Sequence, residues 1–580
     1  MKKPLSLLLA GLMLLALLAA CAPEEELPSI NPPSAAGGGE TTGGEEPPPP
    51  SPSVADVIDE DPDLDGVYFK ETRQITVEVF ERTTDPSTPA GDNVYTDFLK
   101  AEALRLHNIE ITEYITVPRF DEQDVIPMWL AGGDCPDVCV TYNFGAIQEY
   151  AAMDAVHDLA PLIDGYRDRL PHLWDLLTET NLYESRNPET GEIHWFSAML
   201  ANNLRLNTFV REDWLKALNL SAPATTQQFE DMLVAFRDNA ETLLGADADK
   251  MVPFQLNSDP GWRAQNLLST FVPTDFSVRD HYIYGYDTRL FMLPGVKEGV
   301  RLLNKWYNMD LIWQDFAIYK SNDDYLDDML SMGYVGSFMH NWDYPYRSDT
   351  AILKTLREQV GPEATYLVID PFDDDRGGHQ KFLGNALDRK IFFPKTNNEP
   401  KASIFYVDML CRPEILEFMQ LGKEGINYDV IDGAPVAKTY SADDDPAAFE
   451  AYYPYILNSV MNIDLTITIN GYYQGNPLTA GAYATGYSGV EPRLISTSIA
   501  AGRNDGHVRP VLNVGEISSE SGKEASLNDK RDSTLNQSII ATTDNFDAIF
   551  DAGMADYLAS GGQAIIDERR DAYTRYFGNE

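Results

Sequence analysis

Groups able to do chemistry are unevenly supplied in this 580-residue chain. It carries 91 Asp and Glu against 44 Lys and Arg, with 8 His and 4 Cys. Paired carboxylates are all that glycoside hydrolysis requires, so composition alone leaves an exported glycoside-active enzyme open. The patterned reactive groups are missing: there is no G-x-S-x-G, H-E-x-x-H or phosphate-loop motif, and no His pair at helical metal-binding spacing. Asp61-Pro-Asp63-Leu-Asp65-Gly66 opens like a calcium loop, but position twelve is Thr72, Glu71 comes one residue early, and Pro62 sits inside. An acidic end to a linker is the simpler reading. Cys135 and Cys139 lie in a stretch that reads as a strand, where residues i and i+4 are ~13 Å apart, too far for a disulfide. Bridging needs a bend, which Pro136 makes conceivable; simple burial is the expectation. No Cys/His cluster has zinc-ligand spacing, and neither metal nor cofactor is expected.

The elements that must position polar side chains begin near Val67. Gln74 to Phe80 alternates apolar and polar and reads as a strand; Tyr95 to Asn108 has helical spacing through Phe98, Leu99, Leu104 and Leu106. Ile109 to Val117 is a second strand, Gln123 to Ala131 a helix ended by Gly132-Gly133, and Pro136 to Thr141 a short buried strand. A β-α-β-α-β order implies parallel pairing with helices on the faces. Ligands bind such sheets beyond the carboxyl ends of the strands, which here offer Glu81, Arg82 and Thr83, then Tyr142 and Asn143. Helices dominate further on, at Thr225 to Asn239, Gly295 to Met309, Pro413 to Lys423 and Ala552 to Phe577, with short strands at Tyr366 to Ile369 and Arg389 to Phe393. The formal net charge of −47 argues against a nucleic-acid partner and against attraction to anionic lipid.

Lys2 and Lys3 precede an apolar run from Leu5 to Ala20, too short to span a bilayer comfortably and flanked like an export signal. The run ends in Leu18-Ala-Ala-Cys21, which resembles the lipobox of bacterial lipoproteins, where cleavage leaves Cys21 as a lipid-bearing N-terminus. Residues 22–55 hold nine Pro, five Gly and six Glu and neither Lys nor Arg, so they bury nothing and should stay extended as a tether. A signal peptide is expected over 1–20 and a lipidated tether over 21–66, on the outer face of the cell membrane.

Several stretches, in order, resemble the extracellular solute-binding proteins of ABC importers, the sugar-type group and its long lipoprotein subfamily. They include Cys135-Pro-Asp-Val138, Tyr150 to Ile163, Leu206-Asn207 with Asp213 to Leu220, and Pro223 to Phe229, where Thr225 or Thr226 can cap a helix. Gly333 to Trp342, Leu421 to Tyr428 with Asp432-Gly433, and Gly561 to Phe577 follow. Asp154, Leu206 and Gln227 depart from the family pattern. The resemblance implies an α/β fold of two periplasmic-binding-protein-like lobes, hinged around an interlobe ligand cleft. Lobe 1 is expected over 67–185 plus about 365–425, and lobe 2 over about 186–364 plus 426–580. It implies a binding function without catalysis: a lipid-anchored monomer that captures a solute, chiefly an oligosaccharide, for ABC permease transmembrane subunits. A surface adhesion lipoprotein is the other alternative. A sugar cleft uses flat aromatics against pyranose faces and planar polar groups against hydroxyls. The candidates are Trp195, Trp262 and Trp342, with Arg82, Thr83, Tyr142, Asn143, Asp259 and Asp343. Asp259-Pro-Gly-Trp262 resembles an acidic-Pro-aromatic ligand loop, and Trp342 stands in a segment resembling a ligand-facing one. Core packing is the competing role for each Trp.

Overall fold

The computed structural model describes residues 61–578, apart from 82–88, 119–121, 143, 200–203, 205, 321–323, 348–349, 384–386, 432–433, 439–444, 453–489, 504–505, 509–511, 516 and 521. A hairpin of β1 (Leu64–Asp65) and β2 (Tyr68–Phe69) leads into β3 (Arg73–Glu81), which pairs in parallel with β4 (Ile109–Pro118). The crossover is helix α1 (Val94–His107). Asn93 starts it: its side chain accepts the Tyr95 and Thr96 N–H groups while the Thr96 hydroxyl accepts the Asn93 N–H, so two of the orphan donors at a helix start are satisfied. Asn108 ends it in the left-handed conformation. The face it buries is Tyr95, Leu99, Ala103 and His107, while Leu104 points to solvent. Helical spacing was right and the apolar stripe was partly wrong, because β4 and the helix Pro400–Leu410 cover the other side.

β3 joins β5 (Cys139–Thr141) through a parallel bridge between Val77 and Val138. β5 continues through antiparallel β11 (Leu387–Phe392) to β6 (Phe196–Met199), giving the order β4-β3-β5-β11-β6. β3 lies between β4 and β5 and is buried from Val77 to Phe80 rather than alternating, as a sheet covered on both faces demands. Even Glu78 is buried, and its carboxylate accepts the Val140 N–H at 2.9 Å.

The second sheet is β7 (Leu206–Arg211), β8 (Val252–Gln255), β9 (Val335–Asn341) and β10 (Tyr366–Ile369), ordered β10-β7-β9-β8 with β8 and β9 parallel. Helix α2 (Thr226–Asp238), capped by the Thr225 hydroxyl, lays Phe229, Leu233 and Phe236 against it. Helix α3 (Val296–Asn308) packs beside α4 (Glu524–Ile540). The expected Ala552 to Phe577 helix is two, α5 (Phe546–Tyr557) and α6 (Gln563–Phe577), separated by a π-turn over Leu558–Gly562. Gly561 there has φ 144°, which a side chain would strain.

The apolar cores follow the two sheets. One gathers Leu64 through Ala198 with Ile391 through Met419; the others gather Leu206 through Phe372 with Leu494 and Ile495, and with Leu527 through Ile565. The chain therefore passes between sheets later than the sequence division places it. Residues 186–199 stay with the first sheet through β6, and β10 stays with the second through its ladder to β7.

Candidate functional site

The carboxyl ends of the parallel pair β8 and β9 lie at one edge of the second sheet, and the sequence candidates Asp259, Trp262, Trp342 and Asp343 all follow them. After β8 the chain makes two local turns. The Asn257 side chain accepts the Asp259 N–H at 2.9 Å, and the Asp259 Oδ1 accepts the Trp262 N–H at 3.1 Å. Pro260 opens the resulting single helical turn, Pro260–Arg263, at a position where its missing N–H costs nothing. The loop is held from outside by the Ser258 N–H donating to the Tyr319 carbonyl and the Asn536 amide donating to the Ser258 carbonyl, each 2.8 Å.

β9 is pinned beside it. The Asn207 amide donates to the Ser498 carbonyl at 2.8 Å and to the Trp342 carbonyl at 3.4 Å, and the Ser498 hydroxyl also donates to the Trp342 carbonyl. The Arg263 guanidinium donates to the Met339 carbonyl at 3.2 Å. Asp343 is buried and takes the Arg347 guanidinium at 2.8 Å across a short turn.

These restraints bring three rings into contact. His340 meets Trp262 edge to face, with centroids 5.0 Å apart and planes at 72°, and stacks on Tyr344 with planes at 7°. The Tyr344 hydroxyl donates to Asp327 at 2.9 Å; burial pushes both groups above their ordinary pKa values. Trp262 is 7% exposed and belongs to the apolar core, while Trp342 is half-buried. A second aromatic group, Trp313, Tyr319 and Tyr325, has centroids 4.8 to 6.0 Å apart, with Tyr325 exposed. It reaches the β8 loop through the Ser258–Tyr319 hydrogen bond.

Charge lies against Trp262. The Arg263 guanidinium is 4.5 Å and that of Arg289 5.8 Å from its ring centroid. Arg289 Nε donates to Asp259 Oδ2 at 3.1 Å. Burial would raise the Asp259 carboxyl, but Arg289, Arg531, the Trp262 N–H and Arg263 outweigh it and hold the group below its usual value. Burial brings Arg263 down to about 10. Behind this pair, Asp287 accepts from the Tyr557 hydroxyl at 2.9 Å and lies 3.4 Å from Arg531. Burial, aided by Asp259, raises Asp532 to about 6.

The first sheet contributes less that is described. Tyr142, just beyond β5, stacks on Phe80 at 5.6 Å and 20°. Trp195 carries the Lys390 ammonium 3.9 Å from its ring centroid, and that ammonium is also 2.8 Å from Glu184. Arg82, Thr83, Asn143 and Cys21 lie outside the described residues, as do Tyr453, Tyr455, Tyr472 and Tyr473. The sequence reading missed His340, Tyr344, Arg263, Arg289 and the Trp313 group. His340, Tyr344 and Arg263 had a usable signal, since they stand beside the candidates Trp342 and Trp262; Arg289 and the Trp313 group come from distant segments.

The Asp61–Gly66 stretch is occupied by protein cations. Lys401 lies 2.8 Å from Asp61 and 3.2 Å from Asp63, and the Tyr166 hydroxyl donates to Asp61 at 2.5 Å. Burial opposes ionisation of Asp61, but Lys401 and Tyr166 bring it down to about 2. Among the described residues no group of three or more His, Cys, Asp or Glu is placed to hold a metal ion, and no helix is long and apolar enough to cross a membrane.

No family model matches the chain. Over 268 residues it is 25% identical to the fructooligosaccharide ABC transporter substrate-binding protein FusA of Streptococcus pneumoniae; the match takes in 43% of this chain and 47% of that protein, about half its length. Solved structures extend the likeness to the whole fold. FusA as an EF-hand mutant in complex with fructo-nystose has a TM-score of 0.59 at 15% identity, covering 88% of this chain and 100% of that one. The alginate-binding protein AlgQ2 without calcium ion has 0.57 at 18%, with the same coverage. A solute-binding protein associated with an HMO-binding ABC transporter, from Bifidobacterium longum infantis, has 0.58 at 14%, again with the same coverage. The fold is the two-lobed α/β fold of periplasmic solute-binding proteins.

Proposed function

We propose that this chain is a lipid-anchored substrate-binding protein that captures an oligosaccharide and delivers it to an ABC importer. The observation that carries this reading is the contiguous Trp262–His340–Tyr344 ring set at the carboxyl ends of β8 and β9, within a fold shared with sugar-binding transporter components. Aromatic faces cover the apolar side of a sugar ring, and fixed polar groups at their edges read hydroxyls. Trp342, Tyr142 and Trp195 are further ligand contacts in this reading, with Asp343 buried beside Trp342. Asp259 positions Trp262, since its two oxygens are engaged by the Trp262 N–H and by Arg289. The protein performs no reaction; closure of the lobes holds the ligand, and the permease subunits receive it. Cys21 carries lipid, and residues 22–55 set the lobes off from the outer face of the membrane.

The relatives' names define the panel: fructooligosaccharides, alginate and HMO, with peptides as the contrasting class. A ligand at 100 times its dissociation constant adds about 2.7 kcal/mol to stability, a readily measured thermal shift. One glycan class is expected to produce it. A shift with peptides alone, or turnover of a chromogenic glycoside, would replace this reading.

A further inference from the structure

Cys135 and Cys139 do not lie along an extended strand. The chain bends at Asp137, and regular pairing starts only at Val138. The bend is fastened by side chains. Asp137 Oδ2 accepts the Thr76 N–H at 2.8 Å and the Thr76 hydroxyl at 3.1 Å, and the Thr76 Oγ accepts the Asp137 N–H at 3.1 Å. The Asn397 amide donates to the Asp137 carbonyl at 2.9 Å. A β3 residue and the loop at Asn397 thus hold the turn, and the turn brings the thiols together: the sulfurs are 3.5 Å apart, and Cys139 Sγ lies 3.3 Å from the Pro136 carbonyl. Both residues are buried, Cys135 at the rim and Cys139 completely.

We propose that Cys135 and Cys139 form a disulfide that locks the entrance to β5. A disulfide needs its sulfurs at about 2.05 Å, so side-chain rotation has to close only the last part of a gap that the backbone has already narrowed. The redox partner is a disulfide-exchanging oxidant, RS–SR, of the kind met by exported proteins. In the first step Cys135 Sγ, the sulfur at the rim, displaces one RS⁻ and forms a mixed disulfide. In the second, Cys139 Sγ displaces the other. The two cysteine thiols lose two electrons, one RS–SR is reduced, and the two protons leave on two RSH. The bond ties the Asp137 turn to the strand whose far end leads to Tyr142.

The test uses the full chain. Incubation with oxidised glutathione is followed by denaturation, alkylation and tryptic digestion. Residues 120–167 form one peptide that contains both cysteines and no others. It is expected unalkylated and about 2 Da lighter than the dithiol, and doubly alkylated after reduction. C135S should leave Cys139 alkylated, which identifies the partner. Thermal midpoints supply a second measurement: reduction should lower that of the oxidised wild type and leave that of C135S/C139S unchanged. Double alkylation after oxidant treatment, or a glutathione adduct that persists on Cys135 without ring closure, would overturn the assignment. So would identical midpoints for oxidised and reduced wild type.

Discussion

Asp259→Asn separates charge from shape at the loop that carries Trp262. The amide oxygen still accepts the Trp262 N–H, so the cap of the Pro260–Arg263 turn survives. The carboxylate facing Arg289 at 3.1 Å is lost. The Asp259 and Arg289 side chains are only 11% and 5% exposed, so water cannot replace the missing charge. Breaking a buried ion pair from one side costs about 3–5 kcal/mol, because the remaining ion stays desolvated. For a lobe of roughly 250 residues this lowers the midpoint by roughly 6–20 °C, at about 2–4 °C per kcal/mol. Arg289→Met should cost a comparable amount. The Asp259→Asn/Arg289→Met double variant strands neither partner and should be more stable than the sum of the single losses, with a coupling of about 2–3 kcal/mol. Calorimetry on the four proteins completes the cycle. Losses that add within about 0.5 kcal/mol would refute the reasoning, leaving the pair as two independent polar groups.

Three further outcomes follow from the same structure. Trp342→Ala should weaken glycan binding by about 2 kcal/mol or more, roughly 30-fold in Kd, with the fold retained because the ring is only half-buried; isothermal titration with unchanged affinity would remove it from the site. Gly295→Ala should destabilise the second lobe severely, since φ is +84° and an added Cβ would lie 1.8 Å from the Phe271 carbonyl oxygen; a midpoint equal to wild type would contradict the packing of α3. Burial, against its hydrogen bond to the Val67 carbonyl, depresses the His107 pKa below the ordinary imidazole value. The unfolded chain therefore binds the extra proton first, and stability should be full above about pH 6.5 and fall as pH drops from there toward the depressed folded value. Denaturant midpoints of His107→Leu should lose that acid slope.

Local structure was legible in this chain wherever local forces decide it. Thr225 stands where its side chain can cap, and the helix starts there. The β-α-β-α-β order was enough to imply the parallel pairing of β3 with β4. Errors came where distant segments intervene. Leu104 satisfies helical spacing yet faces water, because tertiary contacts choose which stripe is buried. Pro136 to Thr141 reads as strand on composition, but Thr76, sixty-one residues from Asp137 in sequence, bends its first half. The assignment of β10 to the first lobe failed for the same reason, since its partner β7 is set by register and not by sequence proximity. The calcium-like Asp61–Asp65 spacing was real, but it is answered by Lys401, a residue no local pattern could pair with it.

The site shows the same division of labour in a form that bears on function. Trp262 stood out in the sequence, but what fixes its ring is a set of charges assembled from three separate segments: Asp259 with Arg263, Asp287 with Arg289, and Arg531. A ring held by apolar packing alone could shift by a rotamer, whereas moving this one would uncover guanidinium groups that have left water. The ring is therefore held in place without a ligand, and if Trp262 is the sugar plate of the proposed function, ordering it costs no binding energy. In the proposed function the cost of capture would fall instead on the approach of the two sheets, which are joined by crossings after β6 and β10. Affinity in such a molecule is tuned by what closure brings to a rigid surface, so substitutions in the first lobe at Tyr142 or Trp195 should alter affinity while leaving the stability of the second lobe unchanged.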